Sequence, residues 1–314
     1  MYKNNQFKLL YKILIVLFSY GYIYYKFKSL QLDWHAIKLA NSHFILIVIG
    51  LMPVNWVLES TKWQFLLRSI EKIPLIIALK GVLVGITTGL ATPNRVGEYV
   101  GRTFVLKKHN RVKGSLATML GSWAQVLVTL ILGLIGWIIL FEQVNFFNQL
   151  EYRPLFMGFL LGLMLLMLLV FYNLQWVKRI MQWFNINKKY TDEVSFLNRF
   201  HNFDLSYILL LSLLRYTIFA SQYIILLRAF GADISIINSL AAIFLIYLII
   251  IFIPHFSITE LGVRASISIF VFQAFTTEIQ AVAMAASFLW FINLVLPSVI
   301  GSFYLLTRKT KKAS

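Results

Sequence analysis

The chain reads as an all-α polytopic membrane protein with two proline-broken hairpins in an inverted-repeat-like arrangement. Three observations lead there. Hydrophobic residues make up 59% of the sequence and charged residues only 13%, with a mean hydropathy of +0.76. A soluble globule has roughly 25% charged and 45–50% apolar residues, and no water-soluble fold covers so much apolar surface. The basic excess, 29 Lys and Arg against 12 Asp and Glu, falls in short loops between apolar runs, as cytoplasmic loops do under the positive-inside rule. Finally, two apolar runs are broken by proline and followed by a glutamate with an arginine four residues on: Pro93-Asn94-Arg95-Val96-Gly97-Glu98, then Arg102, and Pro254-His255 leading to Glu260, Gly262 and Arg264.

The elements follow in chain order. Lys3, Lys8 and Lys12 precede an apolar stretch at 13–25. It lacks a small-residue cleavage site, so it reads as a first, uncleaved span. Residues 29–41 are interfacial, with Trp34 at headgroup level. The next span, 44–58, is short and extends into Glu59 and Ser60. Residues 61–72 carry Lys62, Trp63, Arg68 and Lys72 among leucines, the pattern of an interfacial helix on the cytoplasmic face.

Residues 75–92 are apolar apart from Lys80, and Pro93 breaks them. Between Pro93 and the basic cluster Lys107, Lys108, Arg111 and Lys113 there is less than the ~20 residues a span needs, so this segment turns back to the side it came from. Residues 115–140 and 154–172 are spans, and the loop between them holds Glu142 and Glu151 without basic excess, which makes it external. Residues 173–204 form a polar cytoplasmic connector, and 205–227 a span containing Arg215. Residues 236–276 either cross twice or form a second broken hairpin from the outside, mirroring the first; the hairpin is the preferred reading. Residues 281–306 return to the basic tail. The count is roughly 7–9 helices in one transmembrane unit, 1–314, with halves 1–172 and 205–314. The expected location is the cytoplasmic membrane with both termini on its inner side, and no soluble domain is expected.

Charge at membrane depth is expensive, and interrupted helices in corresponding halves point to a transporter binding site. Proline frees carbonyls in the preceding turn. Glycines 97, 101 and 262 permit close backbone approach or non-helical angles. If a helix resumes after each break, Glu98 meets Arg102 and Glu260 meets Arg264 on one face. Such pairs either stabilise the helix or open to grip a phosphate bidentately. Their recurrence favours a substrate-binding role for Pro93, Asn94, Arg95, Gly97, Glu98, Arg102, Glu260, Gly262 and Arg264. Lys80, Arg215 and His255 are pathway candidates: Lys80 is placed to snorkel, Arg215 lies too deep for that, and His255 is a proton-relay candidate. Gln125 and Thr129 suit helix–helix hydrogen bonds, and Gly81/Gly85/Gly89 suit tight helix packing.

Other chemistries are not expected. Cysteine is absent and the five histidines are dispersed, so no metal site or cofactor is predicted. The +17 charge belongs to loops facing anionic lipid headgroups, not to nucleic-acid binding. There is no Walker loop, zinc-protease pair or nucleophile elbow.

These residues resemble the transmembrane domain of the lysylphosphatidylglycerol synthetase/flippase family. Thr92, Pro93, Gly97 and Glu98, followed by Arg102, match its Thr-Pro-x-x-x-Gly-Glu-like motif. Gly262, Val263 and Arg264 match its late Gly-Val-Arg motif, and Lys62-Trp63 with Leu66-Leu67 is similar to its basic-Trp-x-x-Leu-Leu segment. The sequence departs in having Ala265 where an acidic residue commonly follows Gly-Val-Arg, with Glu260 before it, and in lacking an arginine near Ser122-Trp123. The chain carries no counterpart of the family's soluble aminoacyl-transferase domain. The resemblance therefore implies a flippase-like module moving a phospholipid or lipid-linked substrate, rather than lipid aminoacylation. The alternative is an integral-membrane enzyme or accessory factor acting on a lipid-linked substrate, with Glu98 as general base.

Overall fold

The computed structural model describes residues 42–141, 153–184, 188–253 and 257–307. The expected first span at 13–25, the interfacial stretch 29–41, Pro254 and His255 lie outside them. Every regular element among the described residues is helical. Five segments are long and apolar enough to cross a membrane: His43–Leu67, Lys108–Leu140, Pro154–Tyr172, Asn202–Ala229 and Ile279–Thr307. Two shorter apolar helices, Leu75–Leu90 and Ile236–Phe252, stand where the first arms of the two hairpins are expected.

The first helix, α1 (Ser42–Leu67), runs unbroken through the stretch expected to lie flat at the interface. Lys62, Trp63, Leu66 and Leu67 are all buried there. The expectation failed because periodicity reads charge as exposure, whereas Lys62 has a counter-ion one turn earlier at Glu59, 2.9 Å away. α2 (Leu75–Leu90) starts after Pro74, and α3 (Gly97–Arg102) packs antiparallel against it. The glycine face of α2 makes this possible. A Cβ at Gly85 would run into the Arg102 side chain, and one at Gly81 would press on the Trp63 ring. Small residues let helix backbones approach in just this way.

α4 (Arg111–Leu140) and α5 (Arg153–Tyr172) follow, and α5 turns most of its apolar surface outward, with Leu155, Phe159, Leu165 and Leu166 exposed. A face of that kind belongs in hydrocarbon. In the connector, α6 (Gln175–Trp183) has Trp176, Ile180 and Trp183 exposed beside Lys178 and Arg179, as suits a helix lying in the interface. α7 (Lys188–Val194) and the turn Ser195–Arg199 then fold back, burying Phe196 and Leu197 against α1, α2 and α4.

α8 (Asn202–Ala229) opens with the His201 N–H donating to Asp204, whose carboxylate also pairs with Arg68 at 2.6 Å. α9 (Ile236–Phe252) is the central rod of the larger core, packed on α4 at Gly133 and Gly136. α10 (Ser257–Phe272) returns alongside it, and α11 (Ile279–Trp290) leads through a π-helical turn, Phe291–Val295, into α12 (Leu296–Thr307). Pro297 explains the widened turn: it offers no N–H to the Asn293 carbonyl and its ring crowds that oxygen.

The two hairpins open at opposite ends of the bundle. The ends of the first are tied together, because Glu71 before α2 accepts from the Lys107 N–H (3.2 Å) and from Asn110 (2.8 Å) after α3. Arg68, next to Glu71, pairs with the start of α8. The second helix pair begins where α8 ends and finishes nearby: Phe272, the last residue of α10, packs edge-on against Tyr223 in the last two turns of α8, ring centroids 5.9 Å apart. At 1.5 Å per residue, the 28 residues of α8 separate the two openings by roughly 40 Å. α10 also touches the Pro93–Arg95 turn, so the hairpins meet inside the molecule.

Candidate functional site

The site grows from three faces. On α1, Asn55, Glu59 and Lys62 recur at helical spacing and point the same way; on α8, Ser212, Arg215 and Gln222 do the same. The α3 helix supplies Glu98 and Arg102 one turn apart. They meet around Glu59, which holds Lys62 (2.9 Å), Arg102 (2.6 Å) and Arg215 (2.8 Å) at once. Arg102 bridges Glu59 to Glu98, and Glu98 in turn holds Arg95 at 2.9 Å. Four cations therefore share two carboxylates, leaving two formal positive charges in a site where Arg102 is 3% and Glu59 6% exposed.

A neutral chain continues from it. Arg215 Nε donates to Asn55 (2.8 Å), Asn55 to Asn293 (3.3 Å), and Asn293 to Gln222 (3.0 Å), which donates to the Val48 carbonyl. Asn293 lies in the π-helical turn, so the register shift brings an amide to the centre of the bundle. Lys62 also donates to Ser212 at 3.3 Å.

The turn that delivers Arg95 is strained. Asn94 and Arg95 have φ of 47° and 57°, the left-handed region that costs a residue with Cβ roughly 1–2 kcal/mol. Thr92 secures it by accepting from the Gly97 N–H at 2.7 Å, while Thr88 donates to the Gly97 carbonyl at 2.8 Å. Gly97 and Gly101 sit so close to Thr88 that a Cβ at either would collide with it. Backbone strain held in place by neighbours tends to mark functional turns.

In the second hairpin, Arg264 donates to Glu260 at 2.9 and 3.2 Å. Ser268 links the Arg264 carbonyl (2.7 Å) to the Tyr223 hydroxyl (2.6 Å), and the Arg264 guanidinium lies 5.9 Å from the Tyr247 ring. The Glu98–Arg102 and Glu260–Arg264 pairs thus form as the spacing predicts, and Arg95 joins the first. Gly262 corrects an expectation: it lies within a continuous helix, and a Cβ there would meet nothing. Lys80 reaches over the Tyr304 ring at 5.2 Å. Gln125 makes the expected interhelical bond, to the Ser212 carbonyl at 3.4 Å, but Thr129 bonds back within its own helix.

Sequence reasoning missed Glu59, Asn55, Gln222, Tyr223, Tyr247, Ser268 and Asn293 as site residues. Glu59 had a visible signal, being one of only 12 acidic residues and one turn from Lys62. Asn55, Asn293 and Tyr223 had none, since their side-chain partners lie 45 or more positions away, and Tyr247 had none because its partner Arg264 lies on another helix.

An all-helical bundle with five segments apolar and long enough to cross a membrane and an ion-paired polar centre defines an integral membrane protein. The family model described as the lysylphosphatidylglycerol synthase TM region matches residues 9–301, and the chain belongs to that family. No curated protein matches it.

Proposed function

We propose that this protein moves a lipid with a phosphate-bearing headgroup, a phospholipid or a lipid-linked precursor, between the leaflets of the cytoplasmic membrane, without an ATPase of its own. The observation that carries this reading is the charge imbalance at Glu59. Among the described residues, Lys62, Arg95, Arg102 and Arg215 pair with the two carboxylates Glu59 and Glu98. Uncompensated charge at this depth is costly, and an anionic headgroup would neutralise it. Arginine is suited to the task because its planar fork matches phosphate oxygens. Arg95, 24% exposed, and Glu98, 16% exposed, are the members through which a headgroup would first make contact.

In this reading the two hairpins are re-entrant, one from each leaflet, and the headgroup passes between their meeting tips. Glu260–Arg264 and Tyr247 receive it from the first cluster. The end of the bundle bearing Arg68, Lys107, Lys108 and Lys113 is cytoplasmic by the positive-inside rule, which puts both termini inside. The alternative of Glu98 as a general base is disfavoured because both carboxylate oxygens are already taken, one by Arg95 and the other by Arg102.

The test is translocation of headgroup-labelled phospholipid in liposomes containing purified protein. Glu98→Gln and Arg264→Ala should each lose translocation while eluting as folded protein. Wild-type rates from both variants would overturn the proposal.

A further inference from the structure

A separate cavity of about 110 Å³ opens where the connector folds back on the bundle, lined by Ser69, Ile70, Asn110, Lys113, Ser195, Phe196 and Arg199. That is far above the roughly 10–15 Å³ of probe-occupied volume one water needs. Its polar groups are under-used. The Ser69 hydroxyl is buried without a hydrogen-bond partner. Lys113 lies 3.8 Å from Glu193, well beyond the roughly 2.7–2.9 Å of a charge-assisted bond. Arg199 donates from Nη1 to the Ser69 carbonyl at 3.2 Å, which fixes the guanidinium at the rim. The neighbouring Glu71 is engaged elsewhere, accepting from Asn110 and the Lys107 N–H. The charged side chains that line the cavity itself, Lys113 and Arg199, are both cations, while the carboxylates of Glu193 and Glu71 stand beside it.

We propose that this cavity is a second anion site, taking the singly charged phosphate group of a phosphodiester or of inorganic phosphate between Lys113 and Arg199, with the Ser69 hydroxyl donating to it. The translocation reading uses Lys113 only as one of the basic residues that orient the bundle, and the site stands or falls independently of it. Its position gives occupancy a consequence. Lys113 starts the same helix turn in which Gly114 meets Thr103 and Leu106, and Ser115 donates to the Tyr99 carbonyl at 3.1 Å. A bound phosphate would pin the connector to the helix that braces the first hairpin.

Purified protein in a neutral detergent is titrated with inorganic phosphate against potassium chloride at equal ionic strength, with thermal unfolding as readout. A parallel arm measures phosphatidylglycerol retained after delipidation by native mass spectrometry, against diacylglycerol. Lys113→Gln/Arg199→Gln should weaken binding by about tenfold or more, and Lys113→Arg/Arg199→Lys should keep it. Ser69→Leu, which fills the cavity without changing charge, should also abolish it, and this covers the case in which the neutral double variant fails to fold. A response confined to phosphate identifies a soluble ligand and one confined to phosphatidylglycerol a lipid headgroup; either supports the site. Binding of both probes that is unchanged by Lys113→Gln/Arg199→Gln and by Ser69→Leu overturns it.

Discussion

Replacing Glu59 by glutamine would leave Lys62, Arg102 and Arg215 buried around a neutral group. Breaking a buried ion pair by removing one partner costs about 3–5 kcal/mol, and here one carboxylate serves three cations. Glu59→Gln should therefore lower stability in a denaturing-detergent titration by at least that range, and by more than Glu98→Gln does. Adding Lys62→Met should recover part of the loss, since it removes one of the stranded charges. Equal effects of Glu59→Gln and Glu98→Gln would mean Glu59 is not the hub. The strained turn gives a second residue-scale prediction. Asn94→Gly should be neutral or stabilising by up to about 1 kcal/mol, and Asn94→Val destabilising by about 1–2 kcal/mol, because only the first suits φ of 47°. At this scale the local pairs were legible in the sequence: Glu98 with Arg102 and Glu260 with Arg264 follow from helix geometry alone. Glu59 was not, because what makes it central is the approach of α3 and α8, a tertiary fact that no spacing along α1 encodes.

Glycine sorts the elements by how closely they pack. A methyl group at Gly101 meets the Thr88 hydroxyl and one at Gly85 meets the Arg102 side chain, whereas Gly262 faces open space. Gly101→Ala should therefore cost several kcal/mol, on the order of the overpacking penalties of 1–3 kcal/mol or above, and abolish translocation by displacing Arg102. Gly262→Ala should be neutral or stabilising by up to about 1 kcal/mol, as in an open helix interior. Thermal unfolding of the two variants side by side checks this, and a large loss from Gly262→Ala would show that the helix face is covered. The Gly81/Gly85/Gly89 spacing did announce a packing face, and Pro93 did announce the first break. The run of charges after residue 60 misled, since the same spacing fits a surface helix and a buried one with counter-ions. The π-helical turn was hidden because Pro297 signals disturbance without saying how the backbone absorbs it.

Across the whole molecule, the proposed function has a headgroup cross between two opposed hairpins. The sequence left residues 236–276 open between two crossings and a hairpin. The return of Phe272 to Tyr223 near the end of α8, where α9 begins, supports the hairpin we propose, as the return of Lys107 to Glu71 does for the first. Long-range returns of this kind are invisible to charge counting, which sees only loops. The absence of native cysteine makes the consequence measurable with single cysteines and a membrane-impermeant maleimide in sealed vesicles of known orientation. Lys72→Cys and Lys108→Cys should label from one side, and Asp233→Cys and Thr277→Cys from the other. Phe252→Cys, next to the second break, is the discriminating position. If α9 and α10 form a re-entrant hairpin, it should label far more slowly than Asp233→Cys from the same side, and no faster from the opposite one. Labelling as rapid as Lys72→Cys from the Lys72 side would instead mean that α9 crosses fully. The headgroup would then need a path along a pair of ordinary spans rather than between two meeting tips.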